Sequence, residues 1–242
     1  MKRAIVIGTS TGIGKALAYE LRAQKYAVGL TGRNLDAMLS IQRELGENVW
    51  VEVLDVRNPE TAMHSLGRLI ERMGGLDIIF LNAGILPLNP NMDWKTEQEG
   101  SVVNVIGFQA MANVACHFFD KQGHGHIVGI SSIAGLRGTG RSPAYSASKA
   151  FVSIYLEGLR QRYIGTKIKI TDIRPGLINT PMTERFKRGF LGVSAEHCAR
   201  DILSAATQKK NVAYVPMRWW WVAQVIKIIP GWIYHRLYRR YA

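Results

Sequence analysis

The chain has 242 residues, 47% of them apolar, which suits one globular α/β domain with a sizeable core and excludes a disordered chain. Its two cysteines, Cys116 and Cys198, lie far apart without metal-ligand spacing; they read as buried thiols in a reducing compartment, so neither a disulfide scaffold nor a metal site is expected. The net charge of +13 is uneven: no acidic residue follows Asp201, while Lys209, Lys210, Arg218, Lys227, Arg236, Arg239 and Arg240 put about half the excess in the last sixth of the chain, a pattern that calls for an anionic partner.

Apolar strand-length runs alternate with amphipathic helix-length stretches, the signature of βαβ units feeding one parallel sheet. The first strand is expected over 3–8, and the apolar run behind Met1-Lys2-Arg3 is too short for a signal-peptide core. It ends in Gly8-Thr9-Ser10-Thr11-Gly12-Ile13-Gly14, which opens a helix over 13–25. Glycines at that spacing give a tight turn and let a pyrophosphate approach free N–H groups at a helix N-terminus. The second strand, 27–32, runs into Gly32-Arg33-Asn34 without the carboxylate that would hold a ribose 2′-hydroxyl. A guanidinium at Arg33 instead suits a 2′-phosphate, which favours NADP(H) over NAD(H). Thr11 stands where a basic residue would have strengthened that preference.

Further strands are expected over 49–55, 77–82, 126–131, 167–173 and 212–215, and further helices over 34–45, 59–73, 97–121, 143–163 and 195–208. Ser194 and Glu196 give the last helix a capped, acidic first turn. The outcome is a Rossmann-like, doubly wound parallel sheet of about seven strands over 1–215, followed by a distinct aromatic and basic appendage over 216–242. Tyr145-Ser146-Ala147-Ser148-Lys149 places a phenol and an ammonium four residues apart on one helix face. An adjacent ammonium stabilises phenolate, lowers the phenol pKa from about 10, and prepares Tyr145 for proton transfer.

Set beside the glycine loop, Asp55-Val56, Leu81-Asn82-Ala83-Gly84, Asn104, Ser131-Ser132, Pro175-Gly176 and Thr180, this pair makes residues 3–215 resemble the short-chain dehydrogenase/reductase family in its simple form. The resemblance implies that Ser132 orients a substrate carbonyl, Tyr145 is the acid/base, Lys149 supports it and the nicotinamide ribose, and Asn104 holds a water linking Lys149 to solvent. It also implies cofactor contacts at Gly8, Ser10, Thr11, Gly12, Ile13 and Gly14. Asp55 and Val56 would meet adenine, Asn82 and Gly84 would flank the adenosine ribose, Thr180 would meet the nicotinamide carboxamide, and Ala83, Tyr145, Lys149, Pro175, Gly176 and Ile178 would also contact the cofactor. Ile7 and Leu81 depart from the threonine and asparagine common at those positions, which puts local turn stability in question.

Residues 177–191 resemble the family's substrate lid by position, and Met182, Phe186, Phe190 and Leu191 suit a hydrophobic substrate. Arg185, Lys187 and Arg188 suit either a phosphate or solvent. In 216–242 the apolar stretch is broken by Gln224, Lys227 and Pro230-Gly231 and falls short of a bilayer span, so two short helices are expected. Tryptophan, tyrosine and arginine together fit the plane of a membrane interface; a homodimer or homotetramer contact and a cover for the active site are the alternatives. The leading reading is an NADPH-dependent reductase at the cytoplasmic face of a membrane, acting on a hydrophobic or lipid-linked ketone. A soluble reductase of 3-oxoacyl thioesters or small carbonyls stands behind it. From a different class come an NADPH-sensing scaffold and nucleic-acid binding through the basic tail; the complete set of Asn104, Ser132, Tyr145 and Lys149 argues against both.

Overall fold

The computed structural model describes the backbone of residues 1–184 and 192–241, and side chains as far as Arg236. In chain order the elements are β1 (Arg3–Ile7), α1 (Gly12–Ala23), β2 (Ala27–Gly32), α2 (Leu35–Leu45), β3 (Val49–Val53), α3 (Pro59–Arg72), β4 (Ile78–Leu81), α4 (Trp94–Ser101) and α5 (Phe108–Gln122). Then follow β5 (His124–Ile130), α6 (Pro143–Arg162), β6 (Lys167–Pro175), β7 (Ile178–Asn179), β8 (Val193–Ser194), α7 (Ala195–Thr207), β9 (Val212–Val215), α8 (Trp219–Ile228) and α9 (Gly231–Tyr241). Seven strands form one parallel sheet in the order β3-β2-β1-β4-β5-β6-β9. The chain therefore reverses direction across the sheet between β1 and β4. A crevice opens beyond their C-terminal ends, where such folds bind ligands.

Alternation along the strands feeds two cores. Ala4 and Val6 of β1 pack with Leu17 of α1, Met38 of α2 and Ile202 of α7, whereas Ile5 and Ile7 face Leu66 of α3, Met111 of α5 and Val152 of α6. Cys198 is buried in the first core, while Cys116 is only half-buried, at the margin of the second. Ser194 caps α7 as expected, its hydroxyl accepting from His197 N at 3.2 Å.

The helix expected over 97–121 is a composite. It starts at Trp94 behind an Asp93 cap, widens into a π-helical turn over Val102–Gly107, and resumes as α5. Gly107 lies so close to the segment after β3 that a Cβ there would fall 2.7 Å from Val56 Cβ. The run 94–122 is long and apolar enough to cross a bilayer by composition, but Val103, Phe108, Met111, Ala112, Ala115 and Phe119 are buried in the core, which accounts for its hydropathy.

Residues 216–242 add the hairpin α8–α9, broken where Pro230 and Gly231 stand. Arg137, just beyond a 3₁₀ turn at Ile133–Leu136, holds it: the guanidinium donates to Ile226 O at 3.1 Å and to Ile229 O, and lies over the Tyr234 ring. Tyr234 in turn donates to Gly138 O at 3.0 Å.

Candidate active site

The glycine turn leaves β1 with Gly8 at φ +86° and Gly12 at φ +58°, left-handed conformations that side chains resist. Gly14 is fixed by proximity: a Cβ there would lie 1.8 Å from Gly8 O and 2.6 Å from Asn82 Nδ2. Asn82 donates to that same Gly8 carbonyl at 2.8 Å, tying the end of β4 to the turn. A second tie comes from β2, where Thr31 O accepts from Thr9 N at 2.8 Å and the Thr31 hydroxyl donates to Val6 O at 3.1 Å. The question raised by Ile7 and Leu81 is thereby resolved. The two are register partners on β1 and β4, both buried, so each apolar departure packs against the other while Thr9 and Thr31 hold the turn.

A cavity of about 250 Å³ opens over this turn. Of the residues expected to contact a cofactor, Gly8, Ser10, Thr11, Gly12, Ile13, Arg33, Asp55, Val56, Asn82, Ala83, Gly84 and Thr180 line it. Gly14, Tyr145, Lys149, Pro175, Gly176 and Ile178 do not: Gly14 serves the turn, Lys149 is buried behind Gly84, Ile178 is buried in β7, and a Cβ on Gly176 would strike the Trp219 indole at 2.2 Å. Arg57 also lines the cavity, beside Arg33, and was missed because it follows the strand rather than any glycine motif. It forms a bidentate pair with Asp55, Nη2 to Oδ2 at 2.7 Å. Burial opposes ionisation of Asp55, but hydrogen bonds from Arg57 and the charges of Arg57 and Arg33 hold its carboxyl below the ordinary value.

At the other end stand the proton-transfer groups. Tyr145 is half-buried with its hydroxyl end inward beside Ser132, whose Oγ caps the following turn by accepting from Ala134 N at 3.1 Å and donates to Pro175 O at 3.5 Å. Ser131 points elsewhere, donating to the buried Asp172 carboxylate and to Ile173 O at 2.9 Å, which separates the two adjacent serines by role. Lys149 is buried, donates to Ile130 O at 2.9 Å and sits 5.8 Å from the Tyr145 ring centroid. Burial brings its pKa down to about 8, against the opposing charge of Asp172. The expected lowering of the Tyr145 pKa is not found: burial raises it, offset only in part by Ser132. Desolvating the phenolate outweighs an ammonium that is already engaged by a backbone carbonyl.

Asn104, in the π-helical turn, accepts from Ile85 N at 2.8 Å and donates to Ile85 O at 2.9 Å and to Ser148 Oγ at 3.2 Å. Both its amide hydrogens are engaged, so the side chain acts as a clamp on the Asn82–Ile85 turn. A Cβ on Gly84 would come within 3.2 Å of Asn104 Oδ1 and 3.4 Å of Lys149 Nζ, so this glycine is what lets the turn pass over both. No motif marks Asp172, which also accepts from Arg174 Nε at 2.7 Å.

On the substrate side, Met182 lines both the cavity and a neighbouring recess formed with Ile85, Leu86, Pro181 and Glu184. β7 and β8 pair Ile178 with Val193 and bracket the segment between them. Arg185, Phe186, Lys187, Arg188, Phe190 and Leu191 lie outside the described residues. No cluster suited to a metal ion occurs among the described residues.

Comparison with known proteins agrees with this geometry. The short chain dehydrogenase family pattern matches residues 2–189. An uncharacterized oxidoreductase of Staphylococcus haemolyticus is 33% identical over 213 residues, covering 86% of this chain and 92% of that one. Among solved structures, serine dehydrogenase from Escherichia coli superposes with a TM-score of 0.77 at 26% identity, covering 88% of this chain and 96% of its own. The closed form of a serine dehydrogenase complexed with NADP+ gives 0.79 at 24% identity, covering 88% and 93%, a likeness of fold. This chain belongs to the short-chain dehydrogenase family of oxidoreductases.

Proposed function

We propose that the protein is an NADP(H)-dependent carbonyl reductase or alcohol dehydrogenase acting on a hydrophobic substrate. The observation that carries this reading is the Ser132–Tyr145 hydroxyl pair with Lys149 buried beside it, close to a cavity framed by glycines. The lining suits a dinucleotide: its turn admits no Cβ at Gly14, and the guanidiniums of Arg33 and Arg57 on the cavity wall support a 2′-phosphate over a bare ribose. A fold relative complexed with NADP+ supports the same choice. When bound, the nicotinamide supplies hydride.

The chain's own residues do the rest. Ser132 and Tyr145 hold the carbonyl oxygen, and the Tyr145 hydroxyl passes its proton to that oxygen as charge develops on it. Because burial raises the Tyr145 pKa, the phenol stays protonated at neutral pH, the form that can donate a proton to a nascent alkoxide. Lys149 supports the phenolate left behind. Met182 with Ile85, Leu86 and Pro181 in the recess beside the cavity favours a hydrophobic carbonyl, and the aromatic, basic segment 216–242 favours peripheral contact with a membrane.

Replacing Tyr145 with Phe is expected to cut carbonyl-dependent NADPH oxidation by about a thousandfold while NADPH still binds. Turnover at the wild-type rate would remove Tyr145 from its role.

A further inference from the structure

The α8–α9 hairpin carries an apolar stripe. Met217, Trp221, Val225, Ile228 and Trp232 recur every three or four residues, and each is between 58% and 79% exposed. That spacing puts Trp221, Val225 and Ile228 on one side of α8, while Ala223 on another side is fully buried against the domain. The hairpin is therefore not a loose tail, since one face is docked and the other is open to solvent. Soluble proteins rarely expose so many large apolar side chains on one short segment without an occupant.

The surrounding charge identifies the occupant. Arg218 precedes α8, Lys227 lies within it and Arg236 lies on α9, all exposed, and no carboxylate occurs anywhere after Asp201. A second copy of this hairpin would bring like charges together, which opposes self-association through the stripe. An anionic lipid surface answers both features: head groups meet the arginines and lysine, and the tryptophans enter the interface.

The placement of the hairpin adds a consequence for the site. β9 pairs Val215 with Pro175 of β6, and Gly176 N donates to Val215 O at 2.9 Å, so the hairpin departs from the C-terminal ends of the strands, the side of the sheet on which the cleft opens. Trp219 then lies on Gly176, and Arg137 fastens α8 to the turn that follows Ser132. We propose that the stripe Met217, Trp221, Val225, Ile228 and Trp232 inserts into an anionic lipid surface and holds the side of the sheet on which the cleft opens toward it, so that the carbonyl substrate is drawn from the lipid phase. This rests on the reading of the site as a carbonyl reductase with a hydrophobic substrate.

Co-sedimentation of the full chain with vesicles tests it. The wild type is expected to bind vesicles of equal parts phosphatidylcholine and phosphatidylglycerol, and to leave pure phosphatidylcholine vesicles largely unbound. The double variant Trp221→Ser with Ile228→Ser should need at least about tenfold more anionic lipid for half-binding. It should also lose turnover of a vesicle-borne long-chain ketone, yet oxidise NADPH with a small water-soluble ketone at the wild-type rate. Should the double variant fold poorly, Lys227→Glu alone is expected to weaken anionic binding and flatten its salt dependence. Unchanged vesicle binding in these variants would overturn the proposal, as would a wild type that ignores vesicles while the double variant shifts its sedimentation mass, which would make the stripe a protein contact. Vesicle binding through the stripe without reduction of any ketone would uphold the docking surface and remove the reductase reading instead.

Discussion

The two ends of the cleft are built on different physical terms. At the glycine-turn end, backbone geometry and open space dominate, and the charged groups that serve it, Arg33 and Arg57, are on the exposed side of the domain. At the proton-transfer end, Lys149 and Asp172 are buried, and desolvation sets the properties of Tyr145 and Lys149. One end is therefore sensitive to added volume, and the other to lost charge and to pH.

The largest expected effect breaks the first end. Gly14→Val would drive a side chain into Gly8 O and Asn82, a clash with backbone that no rotamer relieves. A stability loss of about 3 kcal/mol in urea unfolding is expected, with NADPH binding too weak to titrate by fluorescence. Wild-type NADPH affinity in the folded variant would show that the turn is not the cradle. A smaller change sharpens the comparison without new volume: Arg33→Ala removes a guanidinium and leaves the cavity wall. NADPH affinity should fall about tenfold to a hundredfold, the worth of a charge-assisted pair, while NADH affinity stays nearly constant. Equal losses for both cofactors would assign Arg33 a structural role; Arg57, pinned by Asp55, would then be the discriminating cation.

The same division explains what could be read in advance. The glycine turn and the alternation of about seven strands with helices follow from local signals, because a positive φ, a missing Cβ or an apolar run leaves its mark in the residues themselves. The choice of Ser132 over Ser131 came from the family resemblance and not from any property of the two serines themselves. Asp172 was not, since its importance comes from burial next to Ser131, Arg174 and Lys149, residues from three other positions in the sequence. The π-helical turn around Asn104 was invisible for a similar reason: no proline or glycine pair marks it, and its clamp on Ile85 depends on tertiary contact. Thr31 escaped notice although it latches the glycine turn, because a threonine inside a strand reads as ordinary β propensity. In the hairpin, Pro230-Gly231 announced the break between helices, but nothing local announced that Arg137, far upstream, would fasten it.

The buried end makes the last prediction, and its sign separates chemistry from folding. Lys149 has its pKa lowered by burial from 10.5 to about 8, whereas Tyr145 is pushed upward and remains protonated well beyond that pH. The kcat/KM for ketone reduction should therefore decline as pH rises through about 8, where the ammonium beside Tyr145 is lost. Stability moves the opposite way. Between about 8 and 10.5 the unfolded chain holds the Lys149 proton more tightly than the folded one, so this group adds stability as pH rises across that window and withdraws it as pH falls back through about 8. A fall in rate over that range accompanied by unchanged or higher urea resistance thus points to Lys149 rather than to unfolding. Asp172 favours the charged lysine, and Asp172→Asn should shift the alkaline limb toward lower pH by up to about one unit, with NADPH affinity little changed. A limb that stays in place would show that the Ile130 carbonyl, not the buried carboxylate, is what sustains the ammonium.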